Sequence, residues 1–232
     1  VPLDQWMMVG RKIYPLFEPG TGGQVNRELE QRIERMESAQ AEEGRSDWES
    51  GRGFRARAEG RRAGVKRPED RQRPVGRPEV IRVLQSMKML PAITFIFSRA
   101  GCDGALFQCL RSNLVLTSQE ESERIEAIID EGVAGIPLED LEVLQFSQWK
   151  AALKRGFAAH HAGMLPAFRH IVEKLFVQGL LRAVFATETL ALGINMPARS
   201  VVLEKLVKFD GESHVDLTPG QYTQLTGRAG RR

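Results

Sequence analysis

Near the end of the chain, the residues Gln224-Leu225-Thr226-Gly227-Arg228-Ala229-Gly230-Arg231 set two arginines three positions apart among small residues. On a helical turn, positions i and i+3 share a face. Gly227, Ala229 and Gly230 leave room for another backbone or a phosphate to come close. Two guanidinium forks on one face suit the equatorial oxygens of a γ-phosphoryl group in transfer, where negative charge spreads in the transition state. The chemistry expected of Arg228 and Arg231 is phosphate recognition of the arginine-finger kind.

Two upstream stretches point to the same class of ligand. Phe185 to Ala198 leaves a strand-like run and places Thr187 and Thr189 just beyond it, where hydroxyls can donate to phosphate oxygens. Gly193 permits close backbone approach, and Pro197 ends the element. Further upstream, Phe95-Ile96-Phe97-Ser98-Arg99 presents Ser98 as a possible backbone-phosphate contact at a strand end. Arg99 has two readings, a phosphate contact or an ion pair with an acidic neighbour.

Ala159-His160-His161-Ala162-Gly163 carries adjacent histidines. Adjacent residues on a strand point to opposite faces, so the pair does not share a metal, and no second ligand pair at zinc spacing exists. No metal site is expected. No Gly-x-x-x-x-Gly-Lys-Ser/Thr phosphate loop occurs either, since Gly20, Gly22 and Gly23 lack the following lysine. An Asp-Glu-x-His box is also absent, so the chain offers no Mg²⁺ carboxylate of that kind.

In this order the segments resemble motifs IV, V and VI of superfamily 2 helicases, in the form used by the superkiller-type DExH RNA helicase branch. The resemblance implies a second RecA-like domain, with ATP and Mg²⁺ as cofactors and the Mg²⁺ held by a first RecA-like domain. It implies that Gln224 meets the nucleotide's phosphates while Arg228 and Arg231 act as arginine fingers, with Gly193, Asn195 and Gly227 on the nucleotide side. Thr187, Thr189, Ser98 and Arg99 would lie along single-stranded RNA. His160 would bond a phosphate there, with the other imidazole structural. The expected function is part of an ATP-dependent RNA helicase, inactive as an ATPase alone. Alternatives are a DNA-translocating helicase of the same superfamily and a non-catalytic RNA-binding module. Wording around Met89-Leu90-Pro91-Ala92-Ile93 and Gly101-Cys102-Asp103 resembles plant and algal plastid members, which implies a chloroplast location.

The elements that must position these residues read as α/β: a RecA-like parallel sheet flanked by helices, with a long polar, disordered insertion. Ala92 to Phe97, Arg182 to Ala186 and Ser200 to Leu203 are β-rich apolar runs suited to strands buried on both faces. Val80 to Met89, Gly104 to Leu110, Ser122 to Glu131, Leu138 to Lys154 and Arg169 to Gly179 read as helices. Pro219 to Thr226 reads as another, with Thr218 as N-cap and Pro219 at its first position. Strands alternating with helices imply a parallel sheet whose working residues sit at the strands' carboxyl ends.

Residues 1–19 hold strand candidates at Met7-Met8-Val9 and Lys12 to Phe17, and are expected to open the second RecA-like domain. Residues 20–78 are an Arg/Glu/Gly-rich stretch expected to be a disordered insertion. Within it, Val25 to Glu43 is a polar helix candidate with one thin apolar stripe at Leu29, Ile33 and Met36. Gly44 to Arg77 has eleven Arg or Lys against five Asp or Glu and cannot bury enough to offset its ordering entropy. Residues 79–232 are expected to be the C-terminal helicase domain, cut just after its last motif.

Composition agrees. The 232 residues are 42% apolar, enough for a core, and carry a formal net charge of +3, which permits a polyanionic partner. Two cysteines, Cys102 and Cys109, form no metal or disulfide pattern and read as small buried side chains on one helix, consistent with an intracellular, reducing compartment. No apolar run is long enough to span a bilayer.

Overall fold

Trp6–Val9 and Lys12–Pro15 pair antiparallel as β1 and β2, and Gly10 supplies the positive φ (62°) that their tight turn needs. Helix α1 (Arg27–Glu49) starts where the Asn26 side chain accepts from the amides of Glu28 and Leu29 at 2.9 and 3.2 Å. Its stripe then has something to meet: Leu29 is buried with Val9 and Tyr14, and Ile33 and Met36 pack against them. Three apolar residues hold the helix because the hairpin supplies the rest of a small core. The computed structural model describes residues 3–49, 75–191, 196–209 and 212–230. Within residues 20–78, the polar helix candidate at Val25 to Glu43 is a helix that runs from Arg27 to Glu49. Residues 50–74 lie outside the described residues.

The chain divides into two units, Pro2–Gly76 and Arg77–Arg232. In the second, four strands make a parallel sheet: β3 (Ala92–Phe95), β4 (Phe157–His160), β5 (Ala183–Ala186) and β6 (Ser200–Leu203), in the order β4-β5-β3-β6. Every residue of β3, β4 and β5 is buried, the polar Thr94 and His160 among them, as strands covered on both faces require. Side chains alternate between two cores. Ile93, Phe95, Ala158 and Val184 face α4 (Gln119–Val133), α6 (Phe146–Lys154) and α7 (Pro166–Val177). Ala92, Phe157, Ala159 and Phe185 face α2 (Arg77–Ser86) and α3 (Arg99–Arg111). The chain is therefore α/β, with helices on both sides of a parallel sheet.

Two features differ from expectation. Leu138 to Lys154 is two helices, α5 (Leu138–Val143) and α6, because Gln145 takes a left-handed conformation (φ 54°, ψ 37°). The break lets α6 turn Trp149 onto Phe168, stacked at 4.2 Å between ring centroids. After β6, Val207–Phe209 (β7) and His214–Asp216 (β8) pair as an antiparallel hairpin that the helix-and-strand reading did not contain. Helix α8 (Pro219–Thr226) begins as expected, at Thr218, and Gln221 completes a reciprocal cap with it. Cys102 and Cys109 are buried on α3, and burial pushes both thiols up to about 12, so neither is a nucleophile at neutral pH. Among the described residues, no helix is long and apolar enough to cross a membrane.

Candidate nucleic-acid groove and phosphate-facing helix

The chain leaves β3, β4 and β5 at the same end of the sheet, and there the exits enclose a pocket of about 210 Å³. Phe97, Ser98 and Arg99 line it from the first exit, Ala162 from the second, and Thr187, Glu188 and Thr189 from the third. Lys208 and Phe209 of β7 close it. This is where open parallel sheets bind ligands.

Each lining group has a local reason for its place. Ser98 is the N-cap of α3, and its hydroxyl accepts from the Gly101 amide at 3.0 Å. Gly101 leaves the space these neighbours need, since a Cβ there would lie 2.5 Å from Ser98 Oγ and 2.6 Å from Ile96 Cγ2 and something would have to shift. Arg99 follows in the first turn, exposed, with its Cδ close over Gly163, where a Cβ would approach to 3.1 Å. Among the described residues Arg99 is not in an ion pair. The Thr187 amide donates to the His160 carbonyl at 3.3 Å, and the Thr187 and Thr189 hydroxyls lie 2.9 Å apart. Lys208 Nζ sits 3.1 Å from Glu188 Oε2.

The histidines do point to opposite faces. His160 Nε2 meets Glu173 of α7 at 2.8 Å, and His161 Nε2 meets Asp103 of α3 at 3.1 Å. His161 Nδ1 accepts from the Gly163 amide at 3.2 Å, so its proton is on Nε2 and is donated to Asp103. His160 is buried, and burial holds its pKa below the ordinary histidine range, outweighing the Glu173 carboxylate. A phosphate contact by His160 has no geometry here: one ring nitrogen is spent on Glu173 and the other is sealed in the core. Burial favours the neutral imidazole, against the pull of the Glu173 carboxylate toward the imidazolium.

The second group sits on α8. Gln224 is exposed, Leu225 is buried against the sheet's core, and Gly227 closes the helix. A Cβ on Gly227 would approach the Thr223 carbonyl to 3.0 Å. Arg228 is half-buried, and its carbonyl accepts from the Ala198 amide at 3.2 Å. From Pro219 to Gly230 the chain carries no carboxylate, so its amide and guanidinium groups fit a polyphosphate. Gly193, Asn195 and Arg231 lie outside the described residues. No group of three or more metal-ligating side chains occurs among the described residues.

The chain matches the helicase conserved C-terminal domain over residues 115–232, just over half its length and including the Thr187, Gln224 and Arg228 segments. It belongs to that family. The probable helicase HelY of Mycobacterium tuberculosis H37Rv is 56% identical across 100% of this chain, which spans 25% of that relative. The superkiller complex protein 2 of Homo sapiens is 41% identical over 64% of this chain and 12% of its own length. The DExH-box ATP-dependent RNA helicase DExH11 of Arabidopsis thaliana is 40% identical over 66% of this chain and 11% of its own. This helicase C-terminal domain thus spans about a quarter of the length of its full-chain relatives. Those relatives are mycobacterial, and the chloroplast expectation gains no support.

Reading motifs alone missed Glu188, Lys208 and Phe209 in the groove, and Asp103 and Glu173 beneath it. The Asp210-Gly211 pair was a hairpin signal between two short β-rich runs and could have placed Lys208 and Phe209. No local pattern announces Asp103 or Glu173, whose partners lie 58 and 13 residues away.

Proposed function

We propose that this helicase C-terminal domain is one half of an ATP-dependent RNA helicase of the superkiller type, the half that grips the strand and supplies arginine fingers. The observation that carries this is the turn after β5: Thr187, Glu188 and Thr189 line the groove, while Leu190 in the same turn shares a core with Leu225 of α8. In this reading the turn that grips the strand and the helix that meets the nucleotide are joined through that one shared core. The Arabidopsis relative is named an ATP-dependent RNA helicase, which supports RNA and ATP as the ligands.

In this reading Thr187, Thr189, Ser98 and Arg99 hold successive phosphates and read no bases. Gln224, Gly227 and Arg228, with Gly193, Asn195 and Arg231, hold the phosphates of ATP against a first RecA-like domain, which contributes the Mg²⁺ ligands. Bound ATP supplies the phosphoryl transfer that drives domain motion. Arg228 neutralises charge on the transferring group, worth roughly 10³–10⁵ in rate for an arginine finger.

Steady-state ATP hydrolysis, with and without single-stranded RNA, tests this on the chain alone and on a longer protein that adds the phosphate-loop domain. Turnover is expected from the longer protein only, stimulated by RNA. In it, Arg228→Ala is expected to lower kcat at least about 10³-fold with RNA affinity little changed. Equal loss of both, or of neither, removes the finger assignment. RNA binding with no turnover in the longer protein turns the domain into a binding module.

A further inference from the structure

The polar side chains that line the groove are hydrogen-bond donors, with one exception. Ser98, Thr187 and Thr189 offer hydroxyls, and Arg99 and Lys208 offer cationic N–H groups, all suited to phosphate oxygens. Glu188 is a carboxylate, acceptor-only when ionised, and it sits between the two threonines on the same lip. In a channel for a polyanion, such a group is repelled by every phosphate that passes.

Lys208 offsets part of that repulsion, and the pair is asymmetric. The Lys208 side chain is only 17% exposed, whereas Glu188 is 47% exposed. The open member of the pair is therefore the carboxylate. Lys208 holds Oε2, and among the described residues nothing bonds Oε1. A fixed carboxylate with one oxygen engaged and one open asks for a donor from the ligand.

A nucleic-acid backbone has one such donor, the ribose 2′-hydroxyl, and deoxyribose has none. We propose that Glu188 accepts a hydrogen bond from a ribose 2′-hydroxyl and thereby makes the groove prefer RNA to DNA. The proposal rests on the reading of this groove as a nucleic-acid track. With RNA, the new hydrogen bond compensates for the repulsion between Glu188 and the flanking phosphates. With DNA, the repulsion stands alone. The ion pair to Lys208 holds the carboxylate at the same groove that Thr187 and Thr189 line, so sugar and phosphates of one strand can be met together.

The test is equilibrium binding of this chain to three single strands of one sequence, RNA, DNA and 2′-O-methyl RNA, in the same salt. The 2′-O-methyl strand keeps the sugar oxygen and removes its proton. The chain is expected to bind RNA about tenfold more tightly than either other strand, the low end for a hydrogen bond to a charged group. Glu188→Ala is expected to bring all three within about twofold, weakening RNA and strengthening DNA. Glu188→Gln, which keeps a carbonyl acceptor, is expected to retain part of the RNA preference, and an unchanged melting temperature certifies each fold. If Glu188→Ala keeps the wild-type preference, or 2′-O-methyl RNA binds as tightly as RNA, the proposal fails while the RNA reading stands. Equal wild-type affinity for RNA and DNA overturns both the proposal and the RNA branch of the proposed function. Absence of binding to all three removes the groove as a nucleic-acid site, and the proposal with it.

Discussion

The backbone amide of Ala198 donates to the carbonyl oxygen of Arg228 across 3.2 Å. This bond ties the approach to β6 to the end of α8, so the residue expected to meet the nucleotide is held at its main chain. Beneath it, Leu190, Met196 and Leu225 are all buried in one core. The position of α8 is therefore set by the same packing that sets the turn bearing Thr187 and Thr189.

Leu225→Ala empties part of that shared core. It is expected to cost about 2–5 kcal/mol of stability, whereas the volume-conserving Leu225→Met costs less than about 1.5 kcal/mol. Urea unfolding of the two variants checks this. Equal losses would mean that α8 is not anchored through this residue.

Gly101→Ala places a methyl group against both Ser98 Oγ and Ile96 Cγ2. Overpacking of this kind costs about 1–3 kcal/mol, and it displaces the cap hydroxyl that lines the groove. Ser98→Ala removes the cap alone and costs about 1 kcal/mol. Thermal melts should rank the two in that order, and RNA affinity should fall in both.

Acid is expected to destabilise the fold in two stages. Burial holds His160 below its ordinary value of 6.5, so the unfolded chain takes the proton first. That contribution is complete above about 6.5 and is lost as pH falls below it. Glu126 is held at about 2 by hydrogen bonds from Lys154 and Lys150, against an ordinary 4.5. Its contribution is complete above the ordinary value and is lost as pH falls toward the lowered one. Melting temperature against pH should thus be level just above neutrality and fall through both acid windows, with a separate alkaline fall as the unfolded chain's thiols ionise from 9.0 upward. His160→Gln should flatten the first window only; an unchanged slope there would assign the decline to other groups.

The two thiols offer a direct check on the sheet's second core. In the native chain, Cys102 and Cys109 should resist an aromatic disulfide reagent at neutral pH, since both are buried and their pKa values are raised to about 12. Two equivalents per chain should react in denaturant. Fast labelling of either cysteine in the native state would contradict the packing of α3 on the sheet.

The buried strands were legible because β3 and β5 must be apolar on both faces, and that leaves runs such as Ala183-Val184-Phe185-Ala186 with no polar break. The start of α8 was legible for a local reason, Thr218 followed by Pro219. The break at Gln145 was not, because a left-handed residue other than glycine or asparagine carries no signal of its own. The groove was half legible. Thr187, Ser98 and Arg99 announced themselves by chemistry at strand ends, but Glu188 reads as one more surface acid until Lys208 is seen across from it. His160 misled because two adjacent histidines look alike in sequence, and which is spent on the core depends on Glu173 in a helix not yet placed.

The strand order has a consequence for synthesis. β3 is the first strand of the parallel sheet to leave the ribosome, yet its neighbours are β5, beginning at Ala183, and β6, beginning at Ser200. Until those segments emerge, the nascent chain carries Ala92 to Phe95 with both edges unpaired. Such a strand is a template for pairing with other chains. The polar stretch translated just before it and the charged helix α4 translated soon after are then the nearest solubilising elements. Ribosome-bound chains released before Leu203 should aggregate far more readily than those released after it.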